Sequence, residues 1–121
     1  IVVSAKLELE PRDVEAIKAD VASLRKRRRE REPHGVPNNG STFKNPPGDH
    51  AGRIIDSLGL KGRRVGGAVV SPAHANWLVV EDKSCTSADL LALIAEIQAE
   101  VSRLAGIDLA LEVKVIGEPL P

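Results

Sequence analysis

Residues 77–106 read WLVVEDKSCTSADLLALIAEIQAEVSRLAG, and the fold is decided here. Trp77 to Val80 is a short apolar run, the pattern of a buried strand. Thr86 then opens a long helix. TSAD has the order of a capping box, with Asp89 in place of the usual Glu. Leu90, Ile94, Ile97, Val101 and Leu104 recur at helical spacing and predict the buried stripe. Gly106 is the expected C-cap.

Working upstream, Ala68 to Val70 is a second short apolar run, read as a strand, and Ser71 to Asn76, SPAHAN, is the turn between the two. Residues 59–68, GLKGRRVGGA, hold four glycines, and Ala51 to Ser57 suits a short helix. Residues 38–48, NNGSTFKNPPG, read as a loop on their prolines, glycines and asparagines. Downstream, Leu109, Leu111, Val113 and Val115 alternate with Ala110, Glu112, Lys114 and Ile116, which predicts a closing strand.

The N-terminal part has a different pattern. Ile1 to Leu9 alternates, with Val3, Ala5, Leu7 and Leu9 on one face, as a half-buried strand does. Pro11 suits the first position of a helix, and Asp13 and Glu15 suit its positive end. Val14, Ile17, Val21 and Leu24 form its apolar stripe, and Pro33 stops it. Strands mixed with two substantial helices predict an α+β layered domain, a small mixed or antiparallel sheet packed against two main helices. Residues 1–10 are expected to be a strand of an upstream domain's sheet, and residues 11–121 the domain proper.

Composition narrows the function classes. The chain has 121 residues, 42% hydrophobic and 28% charged, enough for one compact domain built on aliphatic side chains. Phe43 is its only phenylalanine, and there is no Met or Tyr. The chain reads as one domain of something longer. No apolar run approaches the ~20 residues that span a bilayer. Seventeen basic and seventeen acidic residues leave no net charge, which argues against nucleic acid as the main partner. The basic run Arg25 to Arg31 suits an anionic-ligand patch or a solvated helix end; its interrupting Glu30 and lack of aromatics favour the second. Cys85 is the single cysteine, which fits a reducing compartment. His34, His50 and His74 have no metal-ligand spacing.

Two regions offer chemistry. GSTFKNPPG brings backbone N–H groups, a hydroxyl, an ammonium and an amide together, and GLKGRRVGGA sets flexible backbone beside Lys61, Arg63 and Arg64. Both suit an anionic ligand, and both suit plain turn-making; neither has P-loop or dinucleotide-fingerprint order. Glu112 and Lys114 share one face of the closing strand. That face is either solvated or covered by another domain, where a protonated Glu112 would serve as a hydrogen-bond donor.

In order, the chain carries GS-x-FKNP, AG-x-x-I, GLKG, GGA and S-x-x-HAN-[aromatic], and it ends in LEVKVIGE. This combination resembles the C-terminal, substrate-binding region of the UDP-N-acetylenolpyruvoylglucosamine reductases. The resemblance covers nearly the whole chain and is strongest from Gly40 to Trp77. It implies a cytoplasmic flavoenzyme of bacterial peptidoglycan synthesis, in which NADPH reduces FAD and the enolpyruvyl group of UDP-N-acetylglucosamine enolpyruvate then accepts a hydride. It implies Ser41 as the donor of the proton to the adjacent carbon, Glu112 as the second catalytic residue, and Asn45 as a substrate contact. Lys61 and His74 fall where that family contacts the nucleotide diphosphate. FAD is expected to be held mainly by an upstream domain, so the isolated chain is not expected to catalyse. Trp77 stands where the family usually has Phe, VVEDKSCT lacks the frequent Asn-x-Gly, and the absence of Tyr fits the form without a tyrosine-bearing lid. The alternative is a UDP-sugar-binding module without chemistry.

Overall fold

A computed structural model describes residues 2–33 and 35–117. Ile1 of the expected first strand, His34, Glu118 of the closing motif and the side chain of Arg31 lie outside the described residues. The chain divides into two units, Ile1–Glu30 and Arg31–Pro121.

In the first unit, residues 2–10 carry no regular secondary structure and are exposed, Val3 at 93%. Within this chain residues 2–10 pair with no strand. A lone strand leaves its backbone N–H and C=O groups without a partner and its apolar face with nothing to pack on. Helix α1 (Val14–Arg31) begins later than Pro11. Asp13 caps it: its carboxylate accepts the Ala16 N–H at 2.9 Å, and its carbonyl accepts from Ile17. Val14, Ile17, Val21 and Leu24 are exposed, and so are residues 25–30 on its last turns.

The second unit holds the sheet. Its elements are β1 (Asn38–Ser41), α2 (Ala51–Ser57), β2 (Arg64–Val65), β3 (Ala68–Val70), β4 (Trp77–Val80) and α3 (Ser87–Ala105). The strands form one antiparallel sheet in the order β1-β4-β3-β2. The α+β class holds, and the helices packed in this unit are α2 and α3. Three readings change. The first four residues of the presumed loop are β1. A two-residue strand, β2, lies inside the glycine-rich segment. The closing strand reduces to one antiparallel bridge, Phe43 to Leu111, flanked by the bonds Lys44 N–H to Ala110 O (2.8 Å) and Glu112 N–H to Thr42 O (2.9 Å). Among the described residues, 112–117 carry no strand.

β1 was hard to read because it is irregular. Asn38 lies opposite Val79 and Ser41 opposite Trp77, so β1 holds one residue more than its partner. Gly40 takes the positive φ of +70° at that bulge, and its N–H is held by the Asn38 side chain at 3.1 Å.

Helix α3 closes the core. Leu93, Ile94, Ile97 and Val101 are buried, whereas the expected Leu104 is 49% exposed. Leu93 sits one turn before Ile97, while Leu104 is in the last turn of α3. The capping box is complete: Thr86 Oγ1 accepts the Asp89 N–H (3.2 Å) and Asp89 accepts the Thr86 N–H (2.8 Å). Asp89 also lies against Gly66, where a Cβ would approach its carboxylate to 2.4 Å. A Cβ on Gly67 would meet that of Cys85 at 2.6 Å. The GGA motif is therefore a close-packing device. Removing the cap hydroxyl in Thr86→Ala is expected to cost about 1 kcal/mol, read as a lowered urea midpoint at unchanged slope.

No described helix is long and apolar enough to cross a membrane.

Candidate functional site

A cleft of about 440 Å³ opens between β1, α2 and the Ser71–Asn76 turn. Four of the five sequence-predicted residues line it: Ser41, Asn45, Lys61 and His74. The fifth, Glu112, does not. Its segment nevertheless runs beside Ser41, because its backbone N–H is bonded to the carbonyl of Thr42, the next residue along. Glu112 is exposed. His50, Arg53, Asp56 and Asn76 also line the cleft and were not singled out from sequence. The AG-x-x-I motif contains Arg53, and HAN contains Asn76, so the signal was present but was read as helix and turn.

The local sequence explains each placement. Ser41 follows the Gly40 bulge and ends β1. Asn45 Oδ1 accepts the Ala51 N–H at 3.0 Å, so this side chain fixes the entry to α2 while lining the cleft. Gly52 lets the turn approach α2, since a Cβ there would meet His74 Cε1 at 3.2 Å. Lys61 follows the turn after α2 and pairs with Asp56 at 2.6 Å.

His74 is held by both neighbours. Its Nδ1 accepts the Asn76 N–H at 3.2 Å, and its ring lies 5.9 Å from that of Trp77, tilted by 46°. Partial burial lowers its pKa, and the charge of Lys61 acts in the same direction. A neutral imidazole with Nδ1 as acceptor carries its proton on Nε2, which can donate to an anionic oxygen. Asp49, at the start of α2, is held at a pKa of about 2 chiefly by the Arg53 guanidinium. Lys61, Arg53 and the imidazoles give the cleft hydrogen-bond donors, and Lys61 and Arg53 add positive charge, an arrangement suited to a diphosphate-bearing ligand. Each of these cations has a carboxylate partner, Asp56 for Lys61 and Asp49 for Arg53, as Arg63 has Glu96 and Arg64 has Glu81 outside the cleft.

The strand end that carries Ser41 is clamped from behind by Asn76, 4% exposed. Asn76 Oδ1 accepts the Phe43 N–H (2.9 Å), its Nδ2 donates to the Phe43 carbonyl (2.8 Å), and its own carbonyl accepts the Thr42 N–H (2.8 Å).

Residues 32–116 match the family described as UDP-N-acetylenolpyruvoylglucosamine reductase, C-terminal domain, and the match starts next to the break between the two units. The chain is 48% identical over 119 residues to the UDP-N-acetylenolpyruvoylglucosamine reductase of Moorella thermoacetica and 47% identical over 116 residues to that of Alkalilimnicola ehrlichii. These matches cover 98% and 96% of the chain, which spans 39% of the length of either relative. A crystal structure of the UDP-N-acetylenolpyruvylglucosamine reductase of Thermus caldophilus superposes with a TM-score of 0.76 at 36% identity, covering 90% of this chain and 38% of that one. The chain therefore belongs to the family of UDP-N-acetylenolpyruvoylglucosamine reductase C-terminal domains.

Proposed function

We propose that this chain is the substrate-binding part of an enzyme that reduces UDP-N-acetylglucosamine enolpyruvate to UDP-N-acetylmuramate, with NADPH as reductant and FAD as carrier. The reaction supplies a peptidoglycan precursor in the cytoplasm. The observation that carries the reading is the convergence of Ser41, Asn45, Lys61 and His74 on one cleft, with the Glu112 segment bonded to the residue after Ser41.

The residues present do not fit FAD. The cleft is a polar, cation-lined groove, and the Gly66–Gly67 backbone is backed onto Asp89 and Cys85 with no room for a ligand. Flavin binding is assigned to an upstream domain of the same protein, with residues 1–10 as a strand of its sheet. When bound there, the reduced flavin supplies the hydride.

The chain's own residues do the rest. Lys61 and the Nε2–H of His74 bind the diphosphate, and Asn45 holds the substrate near the strand end. Hydride acceptance at the methylene carbon of the enolpyruvyl ether leaves an electron pair on the α-carbon, shared with the carboxylate. Ser41 Oγ–H donates its proton to that carbon, a new C–H bond forms, and solvent returns a proton to the serine. A free hydroxyl is a weak acid, and the strongly basic carbon is what makes the transfer feasible. Glu112 is the second catalytic residue of this reading, carried on the segment bonded to Thr42.

The full-length protein is expected to oxidise NADPH when given the enolpyruvyl substrate and to ignore UDP-N-acetylglucosamine, followed by loss of NADPH absorbance. Tight binding of both nucleotides with no oxidation would make the domain a UDP-sugar-binding module instead.

A further inference from the structure

We propose that Asn76 is a positioning residue for Ser41, acting through the backbone of Thr42 and Phe43; this rests on the reading of Ser41 as the proton donor. Ser41 is exposed at the end of an irregular edge strand, where regular sheet pairing stops. An unsupported strand end moves, and a proton donor displaced by about 1 Å from its carbon forfeits on the order of 100-fold in rate.

Asn76 replaces the missing sheet partner. A carboxamide has one acceptor and one donor side by side, as a peptide group does. Here both are spent on one residue: Oδ1 takes the Phe43 N–H and Nδ2 gives to the Phe43 carbonyl. The Asn76 carbonyl takes the Thr42 N–H. On the opposite edge, Glu112 and Ala110 hold the remaining groups of Thr42 and Lys44. Thr42 is thus bonded on both sides, both backbone groups of Phe43 are bonded to Asn76, and the last fixed peptide abuts the serine. A second, outer tie exists. Asn39 Oδ1 accepts both the Thr42 hydroxyl (3.2 Å) and the Leu78 N–H (3.3 Å). Asn76 also lines the cleft, with one Nδ2–H beyond the Phe43 bond, so its action through the backbone has to be told apart from contact with the ligand.

The test uses the full-length enzyme and Asn76→Asp. An ionised carboxylate keeps the bond to the Phe43 N–H but sets an oxygen against the Phe43 carbonyl. The protonated acid restores both contacts. Burial raises a carboxyl pKa, so the protonated form is reached on going from about pH 8 to about pH 5.5. His74, which accepts the Asn76 N–H, is present in wild type and variant alike, so the rates are compared as the ratio of the two proteins at each pH.

At about pH 8 the variant is expected to reoxidise its flavin with the enolpyruvyl substrate about 100-fold more slowly than wild type. Reduction by NADPH should stay close to wild type, the loss should persist at saturating substrate, and the deficit should shrink as pH falls. A residue needed only for stability would lower the melting temperature and leave the rate of the folded protein unchanged. A folded Asn76→Asp enzyme that reoxidises at the wild-type rate at about pH 8 overturns the proposal. If the variant does not fold there, Asn39→Ala takes its place; about a 10-fold slower reoxidation supports the clamp and an unchanged rate overturns it. A wild-type enzyme whose reduced flavin ignores the substrate overturns the functional reading itself, and the positioning role with it.

Discussion

Ser41→Ala in the full-length enzyme is expected to leave flavin reduction by NADPH at the wild-type rate and to slow reoxidation by the enolpyruvyl substrate by about 10²–10⁴-fold. The two half-reactions separate because they ask different things of the protein. Reduction needs no proton from this domain. Reoxidation needs one, delivered to a single carbon, and Ser41 is the cleft-lining hydroxyl that β1 presents at its end. Lys61, His74 and Asn45 are untouched by the substitution, so the substrate Kd should change little. The loss should therefore fall on the rate constant and not on affinity. Stopped-flow absorbance of the flavin reads both steps in one experiment. Normal reoxidation by Ser41→Ala would dismiss the serine as proton donor, whatever else the cleft binds.

Phe43→Ala is expected to destabilise the second unit by about 3–5 kcal/mol. That is a large share of the 5–15 kcal/mol typical of a whole domain. Phe43 is 1% exposed and packs in a cluster otherwise made of aliphatic side chains, with Leu78, Ile97, Val101 and Leu109 among them. Among the described residues of that cluster there is no other ring, and the backbone around Phe43 is pinned by Asn76 and Leu111. Collapse around the gap is thus restricted, which puts the cost at the upper part of the usual range. Denaturant titration of wild type, Phe43→Leu and Phe43→Ala checks it, with Leu intermediate. A loss below about 1 kcal/mol for the alanine variant would mean that the cluster is not the centre of the fold.

Short-range signals were legible in the sequence, and long-range ones were not. The cap at Thr86 and Asp89, the turn at Gly106 and the strands at Ala68 and Trp77 are written in adjacent residues. So are the motifs that named the cleft. The stripe of α3 was misjudged at Leu104 because periodicity says which face is apolar but not how far the sheet beneath it extends. β1 was hidden because a bulge with Asn38, Asn39 and Gly40 has the composition of a turn. The alternation of residues 3–9 is real, but a strand is a property of a pair, and no partner lies in its own unit. Asn76 was overlooked for a similar reason: its contacts with Phe43 join residues 33 positions apart. Nothing local announces such a bond.

The extra residue in β1 has a consequence of parity. Side chains on a strand point alternately to opposite faces, so one inserted residue exchanges odd for even from that point on. Up to Asn38 the strand keeps step with Val79; after Gly40 it is Ser41, not its predecessor, that lies opposite Trp77. The sheet's pattern and the serine's direction can therefore be set separately, as a half-step in a staircase sets which foot lands first. Deleting Gly40 would restore regular pairing with Ser41 still opposite Trp77, so the bulge decides which odd and even positions of the sequence share a face.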